Sequence, residues 1–299
     1  MRKKIRIFFE KFIFWFEIQK CLLVLSKYLE NGFYNIRTEG NVLIIEKGRP
    51  LFFVFSLQKL SNYSHCKMIT THYEGKYIFH LGDNVYSFYA KKSPWKKYFQ
   101  NMEDHLDELT YPFNRVYSLD YKNRMKIEPF IEHSDSFNMT HEEYGVYLLE
   151  LGVFAKKKMI TKSYFPKNSD ILKEAVFYTQ HGDAYDRNVL FTKNGPVFID
   201  LDDIGLYPAF FDFFRFAITD ISILKSFLNG KYNDYFCRVL GINDDSHLEK
   251  YKDYYFALFI ILFPNIIEEE IIKLFPQNYI FTKTAHLNKK NNMYNNLED

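Results

Sequence analysis

Residues 180–205, QHGDAYDRNVLFTKNGPVFIDLDDIG, gather groups that move protons and hold cations into a stretch otherwise built of strand formers. His181, Gly182 and Asp183 are consecutive, and Asn188 follows Asp183 at five residues. NVLF and PVFID read as two short strands around the turn TKNG, and the second delivers Asp200. A hairpin brings its two ends together. Asp183 and Asn188, from the loop before the first strand, therefore converge with Asp200 at the end of the second. Magnesium takes one or two carboxylates and completes its octahedron with water and phosphate oxygens. Asn188 and Asp200 supply that kind of partial shell. Asp183 stays off the metal and is placed to accept the proton of an attacking hydroxyl. Phosphoryl transfer asks for little beyond alignment and charge neutralisation.

A second chemistry uses the same acids: a carboxylate-pair glycoside hydrolase working through Asp183 with Asp200 or Asp202. It leaves Asn188 without a task. Asp186 and Asp203 read as turn or surface residues, since aspartate favours turns for local reasons. His181 reads as a packed residue of the loop and is assigned no proton transfer.

The elements around this segment change character near residue 133. Before it, strands dominate: Val42 to Glu46, Leu51 to Ser56, Met68 to Tyr73, Tyr77 to Leu81, Val85 to Ala90, and MKIEPFIEH over 125–133. One helix interrupts them, SPWKKYFQNMEDHLDEL, with Ser93 as N-cap, Pro94 at the first helical position and an apolar face of Phe99, Met102, Leu106 and Leu109. After residue 133 helices take over, beginning with a capping box from Thr140 to Glu143. The expected organisation is a strand-rich N-terminal lobe over 1–132, a helical lobe over 133–285 that contains the catalytic segment, and a polar, disordered tail over 286–299.

Composition narrows the partners. The chain has 299 residues, 39 Lys and Arg against 37 Asp and Glu, and a formal charge of +2, without the one-signed field of a nucleic-acid binder. No nucleic-acid partner is expected. Three scattered cysteines (Cys21, Cys66, Cys237) suggest neither a disulfide framework nor a zinc site and fit a reducing cytoplasm. The 32 Phe and 24 Tyr are not read as a site in themselves. Glu10, Lys11, Glu17 and Lys20 cut the apolar N-terminal run into pieces too short to cross a bilayer. Packing on the protein's own core is the first reading of that basic, aromatic helix, and peripheral contact with an inner membrane face is the second.

HGDAYDRNVL followed by VFIDLDDIG resembles the catalytic loop and metal-binding segment of the aminoglycoside phosphotransferase and choline kinase family, whose pattern reads H-G-D-x-x-x-x-N-[IV]-L and then I-D-[WF]-[ED]-x-x-x-G or close variants. The resemblance implies an α+β, two-lobed, protein-kinase-like fold, ATP and Mg2+ as cofactors, and transfer of a phosphate to a small-molecule hydroxyl. It makes Asp183 the catalytic base, Asn188 and Asp200 the metal ligands, His181 a structural residue and Asp212 the aspartate that holds the catalytic loop, although Pro208 stands four residues before Asp212 where three are expected. Asp202 is a further acid of the same segment.

On the nucleotide side, YAKK resembles the V-A-I-K element, which makes Lys92 the phosphate-neutralising lysine and Glu103 its partner, with Lys91 and Glu108 as alternatives. If KYIFHLG is the equivalent strand instead, His80 stands where the lysine belongs. Main-chain groups of Glu128 to Ile131, Phe130 included, would form the hinge that meets adenine. No G-x-G-x-x-G loop is visible. Eleven residues separate Asp200 from Asp212, too few for a peptide-docking activation segment, so the acceptor is small. A sugar of a surface polysaccharide or lipopolysaccharide core, bound by aromatic residues of the helices after Phe211, is preferred to an aminoglycoside or choline. A pseudokinase that binds without turnover is the remaining alternative.

Overall fold

Alternating apolar and polar residues build a strand-rich unit in the first half of the computed structural model, and long apolar helices fill the second. The fold is α+β. The two units divide at Met1–Glu132 and His133–Asp299. The structure describes residues 17–18, 20–25, 32–39, 42–47, 56–57, 65–71, 76–108, 112–133, 139–160, 175–242 and 248–263. Most of the basic N-terminal run and the whole of the polar tail fall outside them.

Among the described residues the first unit is an eight-stranded antiparallel sheet: β1 (Gly32–Glu39), β2 (Val42–Lys47), β3 (Ser56–Leu57), β4 (His65–Thr71), β5 (Lys76–Leu81), β6 (Asn84–Tyr89), β7 (Ser118–Asp120) and β8 (Met125–Pro129). Their spatial order is β3-β1-β2-β4-β5-β6-β8-β7. β1 is not among the expected strands; GFYNIRTE mixes apolar and polar residues without a clean alternation, and its pairing with β2 over Tyr34 to Glu39 settles it. β6 stops at Tyr89, one residue short of expectation, and β8 stops at Pro129 rather than continuing to 133.

Period-two geometry sorts β5, β6 and β8 into two faces. Phe79, Leu81, Tyr86, Phe88 and Met125 form one, closed by Ile18, Leu22 and Leu25 of the helical residues 20–25 and their neighbours, all nearly inaccessible to solvent. That part of the N-terminal run thus packs on the protein's own sheet. The other face carries polar residues that are nonetheless buried: Lys76, Ser87, Lys126 and Glu128. Helix α1 (Trp95–Asp104) sets Phe99 edge-on to Tyr89 at the end of this second face, with ring centroids 5.5 Å apart. Its N-cap is Pro94. Ser93, expected to cap, instead donates its hydroxyl to the Ala90 carbonyl at 2.8 Å. Phe99 and Met102 are fully buried as the periodicity requires, but the helix ends at Asp104, Leu106 lies in a 3-10 turn and Leu109 is outside the described residues.

In the second unit, α2 (His141–Phe154) opens with the predicted capping box: the Glu143 N–H donates to Thr140 Oγ1 at 3.2 Å and the Thr140 N–H to Glu143 Oε2 at 2.7 Å. β9 (Lys158–Ile160), β10 (Ala175–Gln180) and β13 (Gly205–Pro208) form a small antiparallel sheet with β10 in the middle. β11 (Val189–Thr192) and β12 (Gly195–Phe198) form a separate hairpin. Helices α3 (Phe211–Ala217), α4 (Ile221–Leu228), α5 (Asn233–Leu240) and α6 (Leu248–Leu262) follow. Phe210 stacks on Phe236 at 3.8 Å, and Phe214 meets Phe227, Phe256 and Phe259. These rings are the core, each at most 1% exposed. The expectation that the aromatic residues after Phe211 stack on an acceptor fails for them, because they are spent on one another. Among the described residues no helix is long and apolar enough to cross a membrane.

Candidate functional site

The segment that carries the motif leaves the central strand β10 and enters the hairpin, so its first residues inherit the rigidity of a sheet. Gln180, the last residue of β10, accepts the Asp212 N–H at 3.1 Å and donates to the Pro208 carbonyl at 2.7 Å, tying the strand to the start of α3. Asp212 in turn accepts two consecutive main-chain N–H groups, His181 at 2.8 Å and Gly182 at 2.9 Å. One buried carboxylate thereby sets the direction in which the loop departs. Burial pushes the Asp212 carboxyl above the ordinary aspartate range, while His181, the two N–H bonds and Arg215 work against that shift.

His181 has no exposed surface. Its Nε2 donates to the Ile199 carbonyl at 2.6 Å, and its Nδ1 accepts the Asp183 N–H at 3.1 Å. A ring nitrogen that accepts carries no proton, so the proton is on Nε2. Both nitrogens are occupied in holding the loop to the end of β12, which suits a structural residue. Gly182 has φ +80, and a Cβ there would lie 2.2 Å from the Asp203 carbonyl oxygen. Only glycine turns the chain this way and admits that approach.

Asp183 follows, half-buried. Its Oδ2 accepts from Asn188 Nδ2 at 2.8 Å and from Arg187 at 3.4 Å, and its Oδ1 accepts from Arg215 at 2.5 Å. The Asn188 amide nitrogen also donates to the Asp183 carbonyl at 2.8 Å. Because the NH2 end of that amide is committed to Asp183, its Oδ1 is the end turned elsewhere, and oxygen is the end a hard cation needs. The Ile199 N–H donates to the Asn188 carbonyl at 2.9 Å, closing the base of the hairpin and placing Asp200 next to it in the chain. Asp200 adopts φ 59, ψ 59, a left-handed conformation that aspartate tolerates better than most residues. That bend ends the strand and starts the 3-10 turn Leu201–Asp203, where Asp202 is half-buried.

The structure thus gathers Asp183, Asn188, His181 and Asp212 into one bonded network and sets Asp200 at its edge. Asn188 Oδ1 and the Asp200 carboxylate are hard oxygens of the kind a magnesium ion takes. Among the described residues no group of three or more His, Cys, Asp or Glu forms a protein-only cage. Magnesium does not call for one, since it retains waters and phosphate oxygens.

Arg215 is the functional residue that the sequence reading lacks. It sits three residues after Asp212 on α3, donates to both Asp183 and the Gly182 carbonyl, and packs its guanidinium over Phe263 at 4.2 Å and Tyr185 at 5.2 Å. The available signal was a lone cation in the otherwise apolar run PAFFDFFRFA, on the same helix face as Asp212.

The residues expected on the nucleotide side fare differently. Lys91 and Lys92 are exposed in a turn beyond the end of β6, so Lys92 is not on the strand. Glu103 is exposed and accepts from the Tyr121 hydroxyl at 2.7 Å. Glu128 is buried and pairs with Lys126. His80 stacks on Phe130 at 3.9 Å. In the expected hinge the Phe130 N–H is already given to the Asp83 carbonyl at 2.7 Å, Pro129 has no N–H, and Ile131 is half-buried beyond them.

Residues 168–248 match the model of the phosphotransferase enzyme family. The match spans Asp183, Asn188, Asp200 and Asp212, the residues that carry the motif's resemblance. No curated protein matches. Among solved structures, a choline/ethanolamine kinase family protein from Mesorhizobium loti is 11% identical, with a TM-score of 0.38 over 73% of this chain and 84% of that one. A streptomycin–ATP–APH(2″)-IIa ternary complex is 12% identical, with a TM-score of 0.43 over 74% of this chain and 94% of that one. A Legionella pneumophila kinase bound to IP6 is 14% identical, with a TM-score of 0.31 over 61% of this chain and 65% of that one.

Proposed function

We propose that the protein is an ATP-dependent kinase that phosphorylates a hydroxyl of a small molecule. The observation that carries this reading is the shared hydrogen bond between Asp183 and Asn188. It holds a carboxylate beside an amide whose oxygen points away, so that a base and a metal ligand are positioned by the same contact. A carboxylate-pair hydrolase has no use for that amide. A bound magnesium ion would be held by Asn188 and Asp200 and would neutralise charge on the nucleotide phosphates.

Asp183 receives the acceptor's hydroxyl proton as the acceptor oxygen bonds to the terminal phosphorus and the bond to the bridging oxygen breaks, releasing ADP. Each carboxylate oxygen accepts more than one hydrogen bond, so the contacts from Asn188 and Arg215 orient Asp183 without blocking it. Arg215 balances its charge and ties it to the Gly182 carbonyl. His181, Asp212 and Gln180 act on the path of the main chain and touch no reacting atom.

For the acceptor, a sugar of a surface polysaccharide or lipopolysaccharide core is the first compound class to screen. Its support is the basic, aromatic composition of the N-terminus, which also motivates peripheral contact with an inner membrane face in an otherwise cytoplasmic enzyme. An aminoglycoside or choline is the second class. The test is transfer of labelled phosphate from Mg-ATP to a panel of hydroxyl compounds, run beside glycoside hydrolysis without nucleotide. Label on an acceptor is expected; hydrolysis in place of transfer would transfer the site to the carboxylate-pair chemistry.

A further inference from the structure

Between Glu150 and Asp170 the chain holds five lysines, Lys156, Lys157, Lys158, Lys162 and Lys167, and no acid. That stretch alone is more positive than the whole protein, whose formal charge is +2. Its described part is the corner where α2 ends and β9 begins, and there the side chains face outward. Phe154, the last residue of α2, is 82% exposed, more than any other large apolar side chain among the described residues, and Met159 is 60% exposed. Lys156, Lys157 and Lys158 between them are exposed as well.

Local structure fixes the shape of this corner. Ala155 leaves the helix in an extended conformation, its N–H still bonded to the Leu151 carbonyl at 3.0 Å. Lys157 turns back and donates to the Val153 carbonyl at 2.9 Å, at the end of the helix where the dipole is negative. Lys158, Met159 and Ile160 then pair with β10, and among the described residues β9 is an edge of its three-stranded sheet. Lysines on an edge strand are an ordinary guard against pairing with another chain. That guard does not account for Phe154 and Met159, which give the corner an apolar tip within a cationic collar, the combination that marks an interaction surface.

We propose that this corner binds the surface of an anionic membrane, with Phe154 and Met159 entering the boundary between headgroups and acyl chains while Lys156 and Lys158 meet the lipid phosphates. Lysine suits that place because its apolar stem follows the inserted side chains and its ammonium stays at the headgroup level. A hydrophilic polyanion would satisfy the lysines and leave both apolar side chains in water. A neutral bilayer would take the apolar side chains and leave the lysines without counter-charge. An anionic bilayer satisfies both. Binding here needs no nucleotide and no phosphate transfer. It is a contact distinct from that of the N-terminal run, of which Ile18, Leu22 and Leu25 are already buried.

Co-sedimentation of the full chain, without nucleotide, with vesicles of mixed phosphatidylcholine and phosphatidylglycerol tests this against vesicles of phosphatidylcholine alone. Binding to the mixed vesicles that weakens with added salt, and little binding to the neutral ones, is expected. Phe154→Ser/Met159→Ser should lower the partition coefficient about 10-fold, and Lys156→Gln/Lys158→Gln about fivefold for each lysine. Lys157 is kept because it bonds the end of α2. All four substituted positions are exposed, so the variants should melt with the wild type.

No binding by the wild type, or equal binding to neutral and anionic vesicles, overturns the proposal. Undiminished binding by both variants overturns it as well, and its abolition by Arg2→Gln/Lys3→Gln/Lys4→Gln would then assign the contact to the N-terminal run. A loss confined to the lysine variant, with heparin bound as tightly as the vesicles, would make the partner a hydrophilic polyanion and overturn the lipid assignment. If the serine variant does not fold, Phe154→Trp reads the same contact. Its emission, taken as the difference from wild type, should move to the blue when mixed vesicles are added, and an unmoved spectrum overturns the proposal.

Discussion

The hairpin segment of the second unit and the sheet of the first differ in how their buried polar residues are connected. Asp183, Asn188 and Asp200 lie within eighteen residues of chain, joined by one loop and one hairpin, and the bonds among them run between near neighbours. Lys126 and Ser87, by contrast, stand opposite one another only because β6 and β8 pair across a register that neither strand specifies alone. A site built from contiguous chain is readable as spacing. An arrangement built across strands is readable only once the ladder is known, because a shift of one residue sends every side chain to the opposite face.

The sharpest way to break this contrast is Asp183→Asn. It keeps the size of the side chain and removes the base, and turnover should fall by about 10²- to 10⁴-fold, with nucleotide affinity retained in a binding assay. Asp212→Ala strips the acceptor from two buried N–H groups and should destabilise the second unit by about 3 kcal/mol, read as a lower midpoint in denaturant. Activity should fall with it although Asp183 is untouched. Asp200→Ala should abolish the magnesium-dependent part of nucleotide binding; the thermal stabilisation of about 2.7 kcal/mol expected at a hundred times the dissociation constant should shrink to the metal-free value.

Asp220→Ala is a control away from both regions. Asp220 caps α4 through the Ser222 N–H at 2.9 Å, and its loss should cost about 1 kcal/mol with turnover unchanged. Hydrogen bonds from Ser222 and then His141 hold its carboxyl below the ordinary aspartate value. The cap therefore stabilises fully above about pH 4 and its contribution is lost as the pH falls through the lowered folded value, so wild type and variant should converge in acid unfolding. Smallest of all is the effect of Lys92→Ala. From an exposed turn it should change ATP affinity less than about twofold, the scale of a surface charge, and a larger change would restore Lys92 to the site.

Several parts of the fold were legible because their cause is local. The Thr140–Glu143 box, the TKNG hairpin and the apolar rows of β5 and β6 each follow from residues a few places apart. Other expectations failed where a distant partner intervened. Ser93 was available as a cap but bonds back to Ala90. The Phe residues after Phe211 have the composition of a stacking surface, but helices α3 to α6 turn them onto one another.

The sequence by itself determined that an acid, an amide and a second acid would share one hairpin, since strand alternation and turn chemistry act over a few residues and leave little choice. The tertiary structure decided the rest of the network. Arg215 reaches Asp183 across thirty-two residues because hydrogen bonds tie the start of α3 to the end of β10, and Glu128 faces Lys126 inside the protein because the sheet buries both. Contacts of that kind depend on which surfaces lose their water together, and no short stretch of chain carries that information.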